Sequence, residues 1–366
     1  MSELRVERVQ EYLSGVCKRS VEVSRVVPLR QAKDLAELKG FGYGEQYFVE
    51  FRVGGETRRV VLATLRHADF GHDYFADRAS VLLMQHSTFN ALPRHVRSVD
   101  IGSFTGDNGR LKSLGDCCEF FILTDYVDGE LYQSDLNRIR QTSEFCSLDE
   151  ERCVALSDYL AGVHSVKKKD SPGLYVRRVR DMLGRGEGIF GLTDGYTVGS
   201  GHVDEKFFVN FEKMCVEWRW NLKHKAHRLS QVHGNFYPWN VMFRQALDFT
   251  VLNRLGGELG EPADDVSAMT MSYIFHSLQM SAMSGDMSGP FERLFLLFWR
   301  NYLDKTGDEE VLSVIQPFYA WRSLVLASPM SYPQLPMKVR VQLLEFALKV
   351  LKAKKFDFEI LGSYLR

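Results

Sequence analysis

Hydrophobic spacing divides the chain into a strand-rich front and a helix-rich remainder. Residues 1–16 read as an amphipathic helix. From Val21 to about Arg66 the period shortens to two. Gln46–Val53 alternates apolar and polar positions, Gly54-Gly55 is a hairpin signal, and 60–65 reads as the returning strand. A helix is expected over 70–89, with Phe75, Ala79, Leu82, His86 and Phe89 on one face. Residues 119–124 form an apolar strand. Beyond residue 130 the helical period dominates. Ser147-Leu148-Asp149-Glu150 reads as a capping box that opens a helix running to about Val166. Further helices are expected over 205–225, 267–280, 290–303, 309–324 and 336–353. This order of elements predicts an α+β protein in two parts, a small antiparallel sheet followed by a mainly helical region.

Composition narrows the function classes. The 366 residues are 45% hydrophobic and 25% charged, the balance of an ordinary globular protein. The net charge of −1 implies no broad attraction to nucleic acid or to an anionic membrane, so neither is expected as a partner. Lys167-Lys168-Lys169 reads as a solvated helix end. The six cysteines include no C-x-x-C pair, which disfavours zinc and disulfide-exchange chemistry and suits a reducing, cytoplasmic location. The N-terminal residues carry acids and no apolar core of a signal peptide. The apolar run 294–299 is far too short to span a bilayer.

The sharpest signal is His233-Gly234-Asn235-Phe236-Tyr237-Pro238-Trp239-Asn240, followed by Val251-Leu252-Asn253 and by Gly260-Glu261-Pro262-Ala263-Asp264-Asp265-Val266. In spacing this stretch resembles the aminoglycoside phosphotransferase/choline kinase-like family, whose pattern is H-G-D-x-x-x-x-N, an apolar strand ending in Asp, and G-D-P-x-x-D-L-A. The resemblance implies a two-lobed protein-kinase-like fold. It implies an N-lobe over 1–124, a hinge over 125–130, and a helical C-lobe over 131–366 that carries the catalytic segment 233–266. It also implies transfer of the ATP γ-phosphate to a hydroxyl on a small molecule. Phosphoryl transfer is mostly positioning and charge neutralisation, and each motif position has a part in it. By resemblance, position 235 faces the acceptor hydroxyl beside His233, Asn240 and position 253 hold metal, and Asp265 braces the catalytic loop. Gly40, Gly42 and Gly44 form the loop over the phosphates, position 63 carries the phosphate-gripping lysine, and the backbone of Asp125 and Val127 meets the adenine edge. Tyr237 and Trp239 are candidates for lining the acceptor pocket.

Three of these positions depart from the family pattern. Asn235 and Asn253 stand where aspartates are usual, and Ala63 stands where the lysine is usual. Thr64 and Arg66 point away from the side of Ala63 by strand alternation, and an offset alignment would let Arg59 serve instead. Between Glu56 and Glu119 there is no glutamate to partner such a lysine, and Asp73 and Asp77 are the acids of the intervening helix. Asparagine can hydrogen-bond an acceptor hydroxyl but cannot take its proton, a role worth roughly 10²–10⁴-fold. Asn240 and Asn253 offer metal two neutral oxygens. The expectation is an inactive or strongly impaired phosphotransferase, a pseudokinase that binds ATP weakly and Mg²⁺ weakly or not at all, with a small hydroxylated molecule as ancestral substrate. Two alternatives are an active small-molecule kinase that recruits Glu258, Glu261 or Asp264, and a nucleotide-independent interaction protein with a protein partner.

Overall fold

The computed structural model describes residues 5–29, 44–66, 72, 75–105, 117–168, 170–196, 204–254, 257–280 and 289–365. The chain forms two compact units. Among the described residues, the first runs to Asp128 without Leu92–Arg94, and the second takes Leu92–Arg94 together with everything from Gly129 onward.

The first unit is an antiparallel sheet in the order β1 (Val21–Pro28), β2 (Gln46–Val53), β3 (Glu56–Thr64), β5 (Cys117–Asp125), β4 (Ser98–Thr105). Gly54 and Gly55 both take positive φ, +59° and +84°, which is the backbone a two-residue hairpin needs. They set Val53 opposite Glu56 and thereby the whole β2–β3 register. The alternation then sorts side chains to two faces. Val49, Phe51, Val53, Val60, Leu62, Phe121 and Leu123 turn to the face covered by α1 (Val6–Cys17), through Val9 and Leu13. The opposite parity includes Phe48, Val61, Ala63, Phe120 and Ile122. On that face Phe75 of α2 (Phe75–Phe89) stacks on Phe120 at 5.2 Å. The face expected for α2 is only partly the buried one. Ala79, Leu82 and Phe89 are buried, together with Arg78, Val81, Gln85 and Thr88, whereas Phe75 and His86 are half-buried.

The second unit is helical. Its elements are α3 (Tyr132–Thr142), α4 (Ser147–His164), α5 (Pro172–Gly184), α6 (Ile189–Asp194), α7 (Glu205–Leu222), α8 (Pro262–Met280), α9 (Pro290–Thr306), α10 (Gln316–Ala327), α11 (Met337–Lys352) and α12 (Leu361–Leu365). Two small sheets interrupt them. One pairs β10 (Leu259–Gly260) with β7 (Ser230–Gln231), and the other runs β6 (Glu130–Leu131), β8 (Val241–Phe243), β9 (Phe249–Val251). Helix α8 is the core. Every residue from Pro262 to Leu278 is buried, and α3, α4, α9, α10 and α11 pack around it. A helix enclosed on all sides needs apolar or paired residues all round, as this one has. Leu92–Arg94 is tied into this unit: the Pro93 carbonyl accepts from Tyr159 Oη at 2.8 Å, the Arg94 carbonyl accepts from Val251 N at 2.9 Å, and the Arg94 guanidinium lies 5.0 Å from the Phe249 ring centre.

Three expected boundaries shift. The cap of α4 is Cys146, one residue earlier than expected, and its N–H donates to Asp149 at 2.9 Å. Helix α8 begins at Pro262 rather than 267, because proline suits a first turn. Residues 309–324 divide into a 3₁₀ turn (Glu309–Ser313) and α10, with Pro317 in the first turn of the new helix.

Candidate functional site

The segment 233–240 leaves β7 and enters β8, and buried groups hold it from beneath. The Asp265 carboxylate accepts from His233 N and Gly234 N, each at 2.7 Å. Gly234 has φ +78°, a conformation glycine takes without strain. Arg254, fully buried, donates to the Val232 carbonyl through Nε at 3.1 Å and Nη2 at 2.6 Å. Phe236 is buried and stacks on Tyr159 at 5.6 Å. Asn235 is half-buried, its N–H donates to His233 Nδ1 at 3.2 Å, and its side-chain amide makes no hydrogen bond among the described residues. Burial lowers the His233 imidazole to about 4, so it is neutral near pH 7, with Nδ1 as an acceptor.

The hairpin β8–β9 brings the remaining motif residues together. Val241 opposes Val251, and Leu252 N donates to the Asn240 carbonyl at 2.8 Å, so position 253 arrives beside position 240. Asn253 has φ +54°, a region asparagine enters more readily than most residues. Its Nδ2 donates to Asn240 Oδ1 at 3.1 Å, and Asn240 Nδ2 donates to the Asn235 carbonyl at 2.9 Å. The three asparagines thus form one chain of hydrogen bonds. Asn240 is buried and Asn253 is exposed.

The nearby carboxylates are engaged. Burial pushes the Asp265 carboxyl up, but the hydrogen bonds from His164 at 3.2 Å and from the His233 and Gly234 N–H groups outweigh it, and the carboxyl lies below its usual range. Asp264 is held above that range by burial, although Arg322 donates to it. Glu261 is buried, accepts from Arg228 at 2.8 Å and from Tyr175 Oη at 2.7 Å, and is committed to that network. Glu258 is exposed. Among the described residues no three His, Cys, Asp or Glu side chains are grouped to hold a metal ion.

In the first unit, Ala63 is half-buried between Gln46 and Ile122. Thr64 is buried on the opposite face, and Arg66 pairs with Glu45 at 3.0 Å. Arg59 shares the parity of Ala63 but lies four residues back and pairs with Glu50 at 3.1 Å. Gly40, Gly42 and Asp73 lie outside the described residues. Gly44 is required by packing: a Cβ there would sit 1.8 Å from the Thr64 carbonyl oxygen. Asp125 closes β5, its N–H donates to the Arg97 carbonyl at 2.9 Å, and its carboxylate pairs with Arg97 at 3.1 Å. The Val127 N–H makes no hydrogen bond among the described residues.

No sequence-family model matches the chain, and no curated protein sequence does. Its backbone is similar to that of a putative fructosamine-3-kinase from Haemophilus somnus, at TM-score 0.50 and 10% identity over 94% of this chain and 96% of the other. The chain has the two-lobed fold of the small-molecule kinases. A choline kinase from Streptococcus pneumoniae is also similar, at TM-score 0.47 and 10% identity over 94% of this chain and 98% of the other. So is a macrolide 2′-phosphotransferase from Brachybacterium faecium, at TM-score 0.45 and 12% identity over 98% of each chain. Within the kinase fold, three buried or partly buried arginines escape a reading of the motif. Arg254 follows Asn253, Arg178 lies on α5, and Arg322 lies on α10. Nothing in a single sequence distinguishes such arginines from the exposed Arg177 and Arg180.

Proposed function

We propose that this chain is a kinase-fold protein that binds adenine nucleotide weakly and transfers phosphate poorly or not at all, with a small hydroxylated molecule as its ancestral acceptor. The observation that carries this reading is the hydrogen bond from Asn253 Nδ2 to Asn240 Oδ1. A metal ion between these residues would need that oxygen, and here an amide proton occupies it. An aspartate at 253 would put two oxygens face to face and draw in a cation. Asparagine supplies the positive end of a dipole instead, so the residues present do not fit magnesium. Asn235 can accept a hydrogen bond from an acceptor hydroxyl but cannot remove its proton. Ala63 brings no charge to the phosphates.

Adenine is better provided for. The free Val127 N–H is a donor, and half-buried Val61 and Ala63 leave part of one sheet face apolar. Neither feature depends on charge, which supports retained weak nucleotide binding. Thermal-shift titration with ATP is expected to raise Tm modestly, by the same amount with and without magnesium. The triple variant Ala63→Lys, Asn235→Asp, Asn253→Asp is expected to make the shift magnesium-dependent and to restore ATP turnover with some hydroxylated metabolites. Each single variant is expected to restore little, because these groups act together. Magnesium-dependent turnover by the unmodified chain would sink the reading.

A further inference from the structure

Helix α7 carries apolar residues on two faces. Phe211, Cys215 and Leu222 are buried, and Phe207, Met214 and Trp218 pack against the same core. Val209, Val216 and Trp220 are exposed, the tryptophan by 53%. These three lie within about 40° of one another around the helix axis, a stripe on the far side from Phe211. Apolar side chains exposed singly need no explanation, but contiguous ones mark contact surfaces. Among the described residues no other helix exposes more than one large apolar side chain. The tryptophan is also held in place. Lys223 Nζ lies 3.6 Å from its ring centre and the Arg219 guanidinium carbon 5.4 Å. Cations against the ring fix it before any partner arrives, which lowers the entropy cost of contact.

The charges beside this stripe identify what covers it. From the cap Asp204 to the cap Lys223 the chain carries four acids and four bases. No net charge is left to draw an acidic peptide or an anionic membrane. The charges are instead opposed about one height on the helix. Lys213 and Glu217 share one flank of the stripe and are equidistant from Cys215. Glu212 and Arg219 share the other flank and are equidistant from the peptide bond between Cys215 and Val216. Val209 and Trp220 are centred within one residue of the same height. A two-fold axis at that height sets α7 antiparallel to a copy of itself and brings each flank against the same flank of the copy. Lys213 then meets Glu217 of the copy, Glu212 meets Arg219, and each contact occurs twice. Trp220 falls across Val209 of the copy. Lys213 and Glu217 are exposed and make no ion pair within their own chain among the described residues. Glu212 accepts from Thr193 Oγ1 through one oxygen, at 2.5 Å, and keeps the other.

We propose that the outer face of α7 is a self-association surface, which pairs two copies of this chain antiparallel about Cys215. The stripe is about 16 Å long at 1.5 Å per residue. That is short for a standard interface, so the dimer is reversible, with a dissociation constant on the order of 10 μM.

Sedimentation velocity under reducing conditions, from well below to well above that concentration, tests the pairing. The unmodified chain is expected to pass from monomer to dimer. Trp220→Ala is expected to weaken the dimer roughly tenfold or more, as loss of a central aromatic does. Ile360→Ala, at an exposed apolar residue elsewhere, is expected to leave it unchanged. Lys213→Glu and Glu217→Lys each set like charges against each other, and each alone is expected to remain monomeric. An equimolar mixture of these two variants is expected to dimerise again, because every crossed contact then joins opposite charges. Far-UV circular dichroism checks that each variant is folded. A chain that stays monomeric throughout overturns the proposal. So does a dimer indifferent to Trp220→Ala and to both charge reversals, or a mixture that stays monomeric. Binding of phosphatidylserine vesicles or of a polyglutamate peptide that is lost in Trp220→Ala, without dimerisation, gives the face to another occupant and overturns it equally.

Discussion

At the scale of the residue, the site turns on which atoms carry protons. In Asn253→Asp the carboxylate cannot donate to Asn240 Oδ1, and two oxygens are left in contact. That variant is expected to be about 1–2 kcal/mol less stable than the unmodified chain in EDTA and to recover the difference in magnesium. Urea denaturation in the two buffers measures it, and a variant indifferent to magnesium would show that 240 and 253 are not a latent metal site. Asp265→Asn sets an amide NH₂ against one of two backbone donors in a fully buried position, and about 3 kcal/mol of stability is expected to be lost. Asp248→Asn, at an exposed i,i+4 pair with Arg244, is expected to leave the urea midpoint unchanged. The positions of these residues were legible because motif spacing is local: one loop and one hairpin bring 235, 240 and 253 together. Arg178, Arg254 and Arg322 were not legible. Their burial is decided by helices distant in sequence, and an arginine on an amphipathic helix ordinarily faces water.

At the scale of the element, the strands were easier to read than the helices. The Gly54-Gly55 turn and the alternation around it fix β2 residue by residue, whereas β3 starts at Glu56, four residues before the expected 60. Helices α3 and α5 were missed because their buried sets are short and mixed. Helix α3 buries Tyr132, Gln133, Leu136 and Ile139, and α5 intersperses Tyr175, Val179, Met182 and Leu183 with arginines. Gly44, expected to serve nucleotide, has a visible duty to the sheet, where its Cα backs onto the Thr64 carbonyl. Gly44→Ala is therefore expected to destabilise the sheet unit by about 1–3 kcal/mol, the usual range for overpacking. Far-UV circular dichroism in a urea series suits this measurement. An alanine variant as stable as the parent would mean that the β2 entrance yields easily.

At the scale of the whole molecule, the helical unit holds the acid-sensitive groups and the means of watching them. All five tryptophans lie beyond residue 129. Burial depresses both His233 and His276 to about 4, against an unfolded value near 6.5. Between those values the unfolded chain binds more protons, so stability falls as pH falls, by up to about 2.7 kcal/mol per pH unit for the two groups. Below roughly pH 4 the depressed Asp265 adds to the loss, whereas the raised Asp264 opposes the fall only above that pH, where the folded chain takes up its proton first. Tryptophan fluorescence in urea at pH 7, 6 and 5 is expected to show a midpoint that drops steadily, and a flat midpoint would place the proton uptake elsewhere. The division into sheet and helical parts was legible from the change of hydrophobic period, but the partition of Leu92–Arg94 was not, because its partners Tyr159 and Val251 lie far along the chain. That small excursion has a consequence for biosynthesis. Residues 92–94 leave the ribosome long before Val251 exists to accept them, so the helical part cannot close in order of synthesis. An early stretch of chain must wait for a late one before these contacts can form.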